Sequence, residues 1–347
     1  MRQAFTGCGT ALVTPFTRGG ALDETGVRRL ARRQIDAGIH FLVPCGTTGE
    51  TPTLTEAERL RVVELVVAEA KGRVPVLAGA GGYNTHEVIE TAQRMARAGA
   101  DGILSVAPYY NKPTPEGLFQ HYKAIAEAVG LPIIVYNVPG RTGVNVDVAT
   151  ILRLSAVPNI AGVKEASGNM TQMCEICAAV PHEFLVLSGD DALTLPVMAV
   201  GGRGIVSVAS NEVPAEMARM VEFAESGDFA GARRLHQELL PLMQINFIES
   251  SPIPVKSGMA MMGLLEEVYR LPLVPPRPAS RDRIANVLRD LGLPTGPATV
   301  RAYGLLLSHS SSSGLPAVAS RRQMAGWRRR EREFSSERSL VRNHGPL

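Results

Sequence analysis

The chain has no run approaching the ~20 consecutive apolar residues that a bilayer-spanning helix needs, and Met1 to Thr10 lacks a basic segment followed by an apolar one. A membrane partner is therefore not expected, and the expected address is the cytoplasm. Cysteine is scarce: Cys8, Cys45, Cys174 and Cys177 are too few and too scattered for a disulfide framework. Cys174 and Cys177 make one C-x-x-C inside the helical-looking run Met170 to Val180, with no second pair beside it, so it reads as packing rather than as a zinc or redox motif. The seven histidines are dispersed, with no H-E-x-x-H and no H-x-H, which disfavours metal-dependent chemistry. Neither G-x-S-x-G nor a Walker-type loop occurs, leaving serine-hydrolase and nucleotide-driven activities without support.

What is present suits a large globular enzyme. The 347 residues are 45% apolar and 20% charged, with a mean hydropathy of +0.05. The net charge of +3 is unevenly placed. Residues 295–347 hold nine Arg, no Lys and three Glu, so the rest of the chain is mildly acidic. A basic end segment attracts polyanions without a fold to read them, and no nucleic-acid partner is expected. That segment also carries Ser310 to Ser313, clustered arginines and no sustained apolar period, and reads as a disordered tail.

From residue 9 to residue 208, short, almost wholly apolar runs alternate with amphipathic helical stretches. The expected strands are Thr10 to Thr14, Phe41 to Pro44, Val74 to Ala78, Gly102 to Val106, Pro132 to Tyr136, Ile160 to Lys164, Phe184 to Leu187 and Gly204 to Val208. Strands buried on both faces have this texture, whereas a sheet with one wet face alternates. Thr55-Glu-Ala-Glu58 is a capping box opening one helix, and Thr85 and Pro115 begin others. About eight βα units in succession favour a closed (β/α)₈ TIM barrel over an open doubly wound sheet. Beyond Ser210 only helical patterns follow. The expected organisation is a barrel over 1–210, a helical C-terminal extension over 211–294 and the tail over 295–347.

In such a barrel the reactive groups gather at the C-terminal ends of the strands. That rule brings Thr47 and Thr48, Tyr109 and Tyr110, Tyr136 and Asn137, Lys164, Glu165, Gly189, Asp190 and Asp191 to one mouth. Lys164 ends the apolar run Ile160-Ala-Gly-Val163, where partial desolvation disfavours the ammonium form and frees the amine to attack a carbonyl. The alternative is a lysine paired with Glu165 or Asp191 at the rim. Tyr136 and Tyr110 are either core and rim fillers or proton carriers, and Thr47 supplies a hydroxyl that could complete a relay. Gly201-Gly-Arg-Gly204 precedes a strand, so a turn is expected there rather than a phosphate cradle.

Five segments carry a resemblance: Gly46-Thr-Thr-Gly-Glu50, Ala107-Pro-Tyr-Tyr-Asn-Lys-Pro113, Tyr136-Asn-Val-Pro-Gly-Arg-Thr-Gly143, Gly162-Val-Lys-Glu-Ala166 and Ser188-Gly-Asp-Asp191. Over about residues 4–293 the chain resembles the dihydrodipicolinate synthases, within the N-acetylneuraminate lyase group of pyruvate-dependent class I aldolases. The resemblance implies a lyase of lysine and diaminopimelate biosynthesis that needs no cofactor and no metal and works as a homotetramer built from dimers. Its small-molecule substrates are pyruvate, held as a Schiff base on Lys164, and aspartate 4-semialdehyde, which yield 4-hydroxy-tetrahydrodipicolinate. Tyr136, Thr47 and Tyr110 match the proton relay, with Tyr110 reaching into the neighbouring subunit's site. Thr48 matches the pyruvate carboxylate binder and Arg141 the carboxylate grip on the second substrate, while Gly189 and Val206 line the pocket through their backbones. The doubled threonine and Arg141 favour a synthase over the alternative, an N-acetylneuraminate or sugar-acid lyase. A catalytically silent barrel is disfavoured because no relay member is missing. In lysine-sensitive members an interface pocket is lined at positions matching Glu56, Arg59, Tyr83 and Glu87, and this set implies weak feedback inhibition.

Overall fold

The computed structural model describes residues 2–295. Eight parallel strands run in the order β2-β1-β8-β7-β6-β5-β4-β3: β1 Gly7–Ala11, β2 Phe41–Val43, β3 Leu77–Gly79, β4 Gly102–Val106, β5 Ile133–Asn137, β6 Ile160–Glu165, β7 Leu185–Ser188 and β8 Gly204–Ser207. The ends of this order meet. Leu42 bridges Val76, the Leu42 N–H donates to Pro75 O at 3.0 Å and the Gly79 N–H to Pro44 O at 2.9 Å, closing a (β/α)₈ barrel.

Alternation along the strands divides the core in two. Phe41, Val43, Leu77, Leu104, Ile134, Leu185, Leu187 and Val206 fill the barrel interior, with Phe5 set edge-on against Phe41 at the N-terminal end. Their sequence neighbours, such as Leu42, Ile103, Ile133, Val135, Val163 and Val186, face the helices. Two glycines are required by close approach rather than by flexibility. A Cβ on Gly9 would lie 2.1 Å from the Phe41 ring, and one on Gly204, at φ +136°, would lie 1.9 Å from Gly7 O. The Gly-rich run thus starts β8 against β1.

The same crowding places β1 earlier than expected. Its pairing falls on the small residues Gly7 to Ala11, and the β-branched Val13 and Thr14 lie past the strand. Similarly β3 starts at Leu77 rather than Val74. Helix boundaries follow their caps: Thr55 and Glu58 form the reciprocal capping box of Glu56–Ala70, and Thr114 caps Pro115–Ala128. After β8 the helices are Pro214–Glu225, Phe229–Ile245, Ile253–Met261 and Pro278–Asp290. The first lies against β1 and the Phe229–Ile245 helix, so the eighth strand has its helix. Of the tail expected over 295–347, all but Thr295 lies outside the described residues. No helix among the described residues is long and apolar enough to cross a membrane.

Candidate active site

Parallel strands in register present paired residues on one face, and this brings Lys164 and Tyr136 together. Tyr136 of β5 pairs with Lys164 of β6, and Lys164 in turn with Leu187 of β7. All three face the interior near the C-terminal ends. Lys164 is 5% exposed, and its Nζ lies 4.1 Å from the centre of the Tyr136 ring. Among the described residues no carboxylate pairs with it.

The two acids that sequence alone offered as partners are engaged elsewhere. Glu165, one residue on, points to the opposite face and is fully buried, accepting from Asn137 Nδ2 at 2.9 Å, Gln172 Nε2 at 3.1 Å and the Ser167 N–H at 2.7 Å. Asn137 also contacts Asn145 and Val146, so it and Glu165 brace the strands from outside rather than lining the mouth. Asp191 accepts from Ser207 Oγ at 2.6 Å and from the Val208 and Ala209 N–H groups at 3.0 Å, tying the β7 and β8 loops. Burial pushes its carboxyl above the usual range against those hydrogen bonds. Asp190 caps the turn Asp191–Leu193.

Gly189 lies beside the lysine. A Cβ at Gly189 would come 3.1 Å from Lys164 Cε and 2.6 Å from Ala166 Cβ, so the bare glycine leaves the lysine its space. Val206 is fully buried on β8, paired with Gly9.

Past β2 the chain turns through Thr47–Gly49, held by the Gly49 N–H on Gly46 O, the Glu50 N–H on Thr47 O and Thr14 Oγ1 on Gly49 O at 2.7 Å. Thr48 is buried and Thr47 half-buried. The N–H groups of Thr47 and Thr48 have no partner among the described residues, which suits a turn that receives an anion. Arg141 sits on the short helix Pro139–Thr142 after β5, exposed, with Nη2 donating to Ser251 O at 3.0 Å.

Tyr110 does not join this group within its own chain: it is 89% exposed, at φ +71°. A bulky residue in the left-handed region is costly. Tyr109 beside it packs edge-on against Tyr83, ring centres 5.2 Å apart.

Two residues escaped the sequence reading. Glu50 and Lys256 form an ion pair with both side chains fully buried. The available signal was a single lysine inside the otherwise uncharged, mostly apolar run Ile253 to Met262, a position where an unpaired charge is not tolerated. Among the described residues no group of three or more His, Cys, Asp or Glu could hold a metal ion.

The family model of the dihydrodipicolinate synthetase family matches residues 4–291. The chain is similar to the 4-hydroxy-tetrahydrodipicolinate synthase of Koribacter versatilis, 55% identical over 288 residues, covering 83% of this chain and 96% of that one. Among solved structures it is similar to dihydrodipicolinate synthase from Aquifex aeolicus, with a TM-score of 0.83, 43% identity and coverage of 84% and 100% of the two chains. It is also similar to the chloride-inhibited dihydrodipicolinate synthase from Acinetobacter baumannii complexed with pyruvate, with a TM-score of 0.82, 41% identity and coverage of 83% and 99%.

Proposed function

The chain belongs to the dihydrodipicolinate synthetase family, and we propose that its amine Lys164 carries the family's reaction by holding pyruvate as a Schiff base. The protein is a lyase with the activity of 4-hydroxy-tetrahydrodipicolinate synthase, condensing pyruvate with aspartate 4-semialdehyde on the route to diaminopimelate and lysine. A sialic-acid or sugar-acid lyase is not favoured, since relatives 50–55% identical share the synthase name.

The observation that carries the Schiff-base reading is a buried lysine with no carboxylate partner among the described residues, lying against a tyrosine ring at the mouth. An amine held at the mouth against an aromatic face rather than in an ion pair is available as the nucleophile that a keto carbon requires. The nitrogen adds to C2 of pyruvate and water leaves, giving the imine. Loss of a methyl proton gives an enamine that attacks the aldehyde of the second substrate. The amino group of the bound product then displaces Lys164 as the ring closes, releasing 4-hydroxy-tetrahydrodipicolinate.

Proton movements in this scheme fall to Tyr136, Thr47 and Tyr110. Tyr110, exposed at a strained backbone position, is the member supplied to a neighbouring subunit, in a homotetramer built from dimers. Thr48 and the unpartnered amides of its turn receive the pyruvate carboxylate, and Arg141 receives that of the aldehyde through its planar fork. Gly189 and Val206 line the pocket with backbone. The scheme uses no metal and no cofactor, and a cytoplasmic setting accords with it. The organisation we propose is the barrel, its helical extension and the basic segment from 295 onward. Kinetics with pyruvate and aspartate 4-semialdehyde, run beside N-acetylneuraminate, test the reading: turnover confined to the first pair is expected, and preference for the sugar acid contradicts it.

A further inference from the structure

The Glu50–Lys256 pair lies outside the reacting group yet touches the turn that the proposed function uses. Glu50 ends the turn Thr47–Gly49 in the left-handed conformation, φ +54° and ψ +34°, which a residue with a side chain adopts reluctantly. Its backbone also starts the next turn, Thr51–Thr53, with the Thr53 N–H and hydroxyl both donating to Glu50 O. The carboxylate reaches down to Lys256 of the helix Ile253–Met261. Lys256 Nζ donates also to Val268 O at 2.8 Å and lies 4.4 Å from the Phe16 ring centre.

A second cation from the same segment grips the same stretch. Arg270 lies 4.2 Å from the Phe16 ring centre and donates to Thr53 O at 3.1 Å while clamping Glu58. Residues more than 200 positions later thus hold two successive turns of the β2 loop. An ion pair of this kind is a poor source of stability, because desolvating both charges offsets their attraction and apolar replacements of similar volume serve as well or better. What the pair supplies instead is a fixed position for Glu50, and through it for Thr47 and Thr48.

We infer that Glu50 and Lys256 are positioning residues, through which the C-terminal helices set the conformation of the turn that binds the keto-acid carboxylate. The inference rests on the reading of that turn as the pyruvate site. It assigns the pair a selective effect: the pyruvate KM depends on it, whereas the aldehyde, gripped by Arg141, does not.

The test uses the full-length protein. In the double variant Glu50→Gln, Lys256→Met both charges are gone, so no buried ion is left unpaired and the melting temperature is expected within about 3 °C of the parent. The pyruvate KM is nevertheless expected to rise at least about fivefold, with the aldehyde KM changed less than about twofold. A second variant, Glu50→Asp, keeps both charges but shortens the tether, and is expected to raise the pyruvate KM at least about threefold. A pyruvate KM within about twofold of the parent in both variants overturns the inference, and if the double variant fails to fold Glu50→Asp decides alone by the same criterion. Borohydride fixation of pyruvate on Lys164 of the parent separates the failures. Without fixation the functional reading falls and takes the inference with it; with fixation and an unmoved KM, the inference alone falls.

Discussion

Lys164 and Tyr136 stand at paired register on adjacent parallel strands, with the lysine nitrogen 4.1 Å from the centre of the tyrosine ring. Because strand pairing fixes them, neither needs a loop to be brought to the other, and the amine is held against an aromatic face rather than a counter-ion.

Arg141→Ala should impair use of the aldehyde and spare pyruvate. The guanidinium is exposed and oriented by Ser251 O, free to meet a carboxylate at the rim. Losing a charge-assisted bidentate contact costs on the order of 2 kcal/mol, hence at least tenfold in kcat/KM for aspartate 4-semialdehyde. Fixation of pyruvate at Lys164 should stay within about twofold of the parent. An equal fall in both would remove the assigned role.

Gly189→Ala should reduce turnover without unfolding the protein. The added methyl comes within 3.1 Å of Lys164 Cε and 2.6 Å of Ala166 Cβ, so the lysine must move. A displacement of this kind in a preorganised site costs about 10- to 100-fold in kcat. Steady-state kinetics alongside a melting curve check it: parental kcat in a folded variant contradicts the placement.

Glu212→Gln should alter how stability depends on pH. Burial pushes the Glu212 carboxyl up to about 8, against the hydrogen bond from Asn246 Nδ2. The folded state therefore keeps a proton that the unfolded chain has lost above about 4.5. Stability contributed by this group is complete below that lower value and is lost as pH rises toward 8, by at most ~1.4 kcal/mol per pH unit. The amide does not titrate, so thermal melts of variant minus parent should show a difference growing from pH 5 to pH 8. A difference flat with pH contradicts the assignment.

Inhibition by lysine should be weak. The positions that resemble the lysine pocket hold Arg59 and Tyr83, with Glu56 paired to Arg94 and Glu87 accepting from Asn84 at 2.8 Å. A guanidinium facing the pocket repels the ligand's ammonium group. Initial rates against lysine check this, and half-inhibition below about 1 mM, a binding free energy beyond ~4 kcal/mol, is the contrary result.

Much of this was legible in sequence because the barrel repeats one unit. Apolar runs gave the eight strands, and the rule that reactive groups sit at strand ends gathers Lys164 and Tyr136 with nine other residues at one mouth. What was not legible depends on facing. Glu165 and Asp191 sit at the same strand ends, and only the alternation of side chains shows that the first braces the outer face and the second ties two loops. Lys256 was missed because its partner is 206 residues away in sequence, and amphipathic pattern alone reads a helix lysine as solvated. The early start of β1 was hidden because its strand is built of Gly7 and Gly9, whose value lies in the room they leave for His40 and Phe41.

The most direct test of the central claim is borohydride reduction in the presence of pyruvate, followed by peptide mass analysis. One reduced pyruvate should appear on Lys164 and on no other lysine, Lys256 included, with no label and no turnover in Lys164→Ala or Lys164→Arg. Label on a different residue, or turnover retained by Lys164→Ala, would contradict the account.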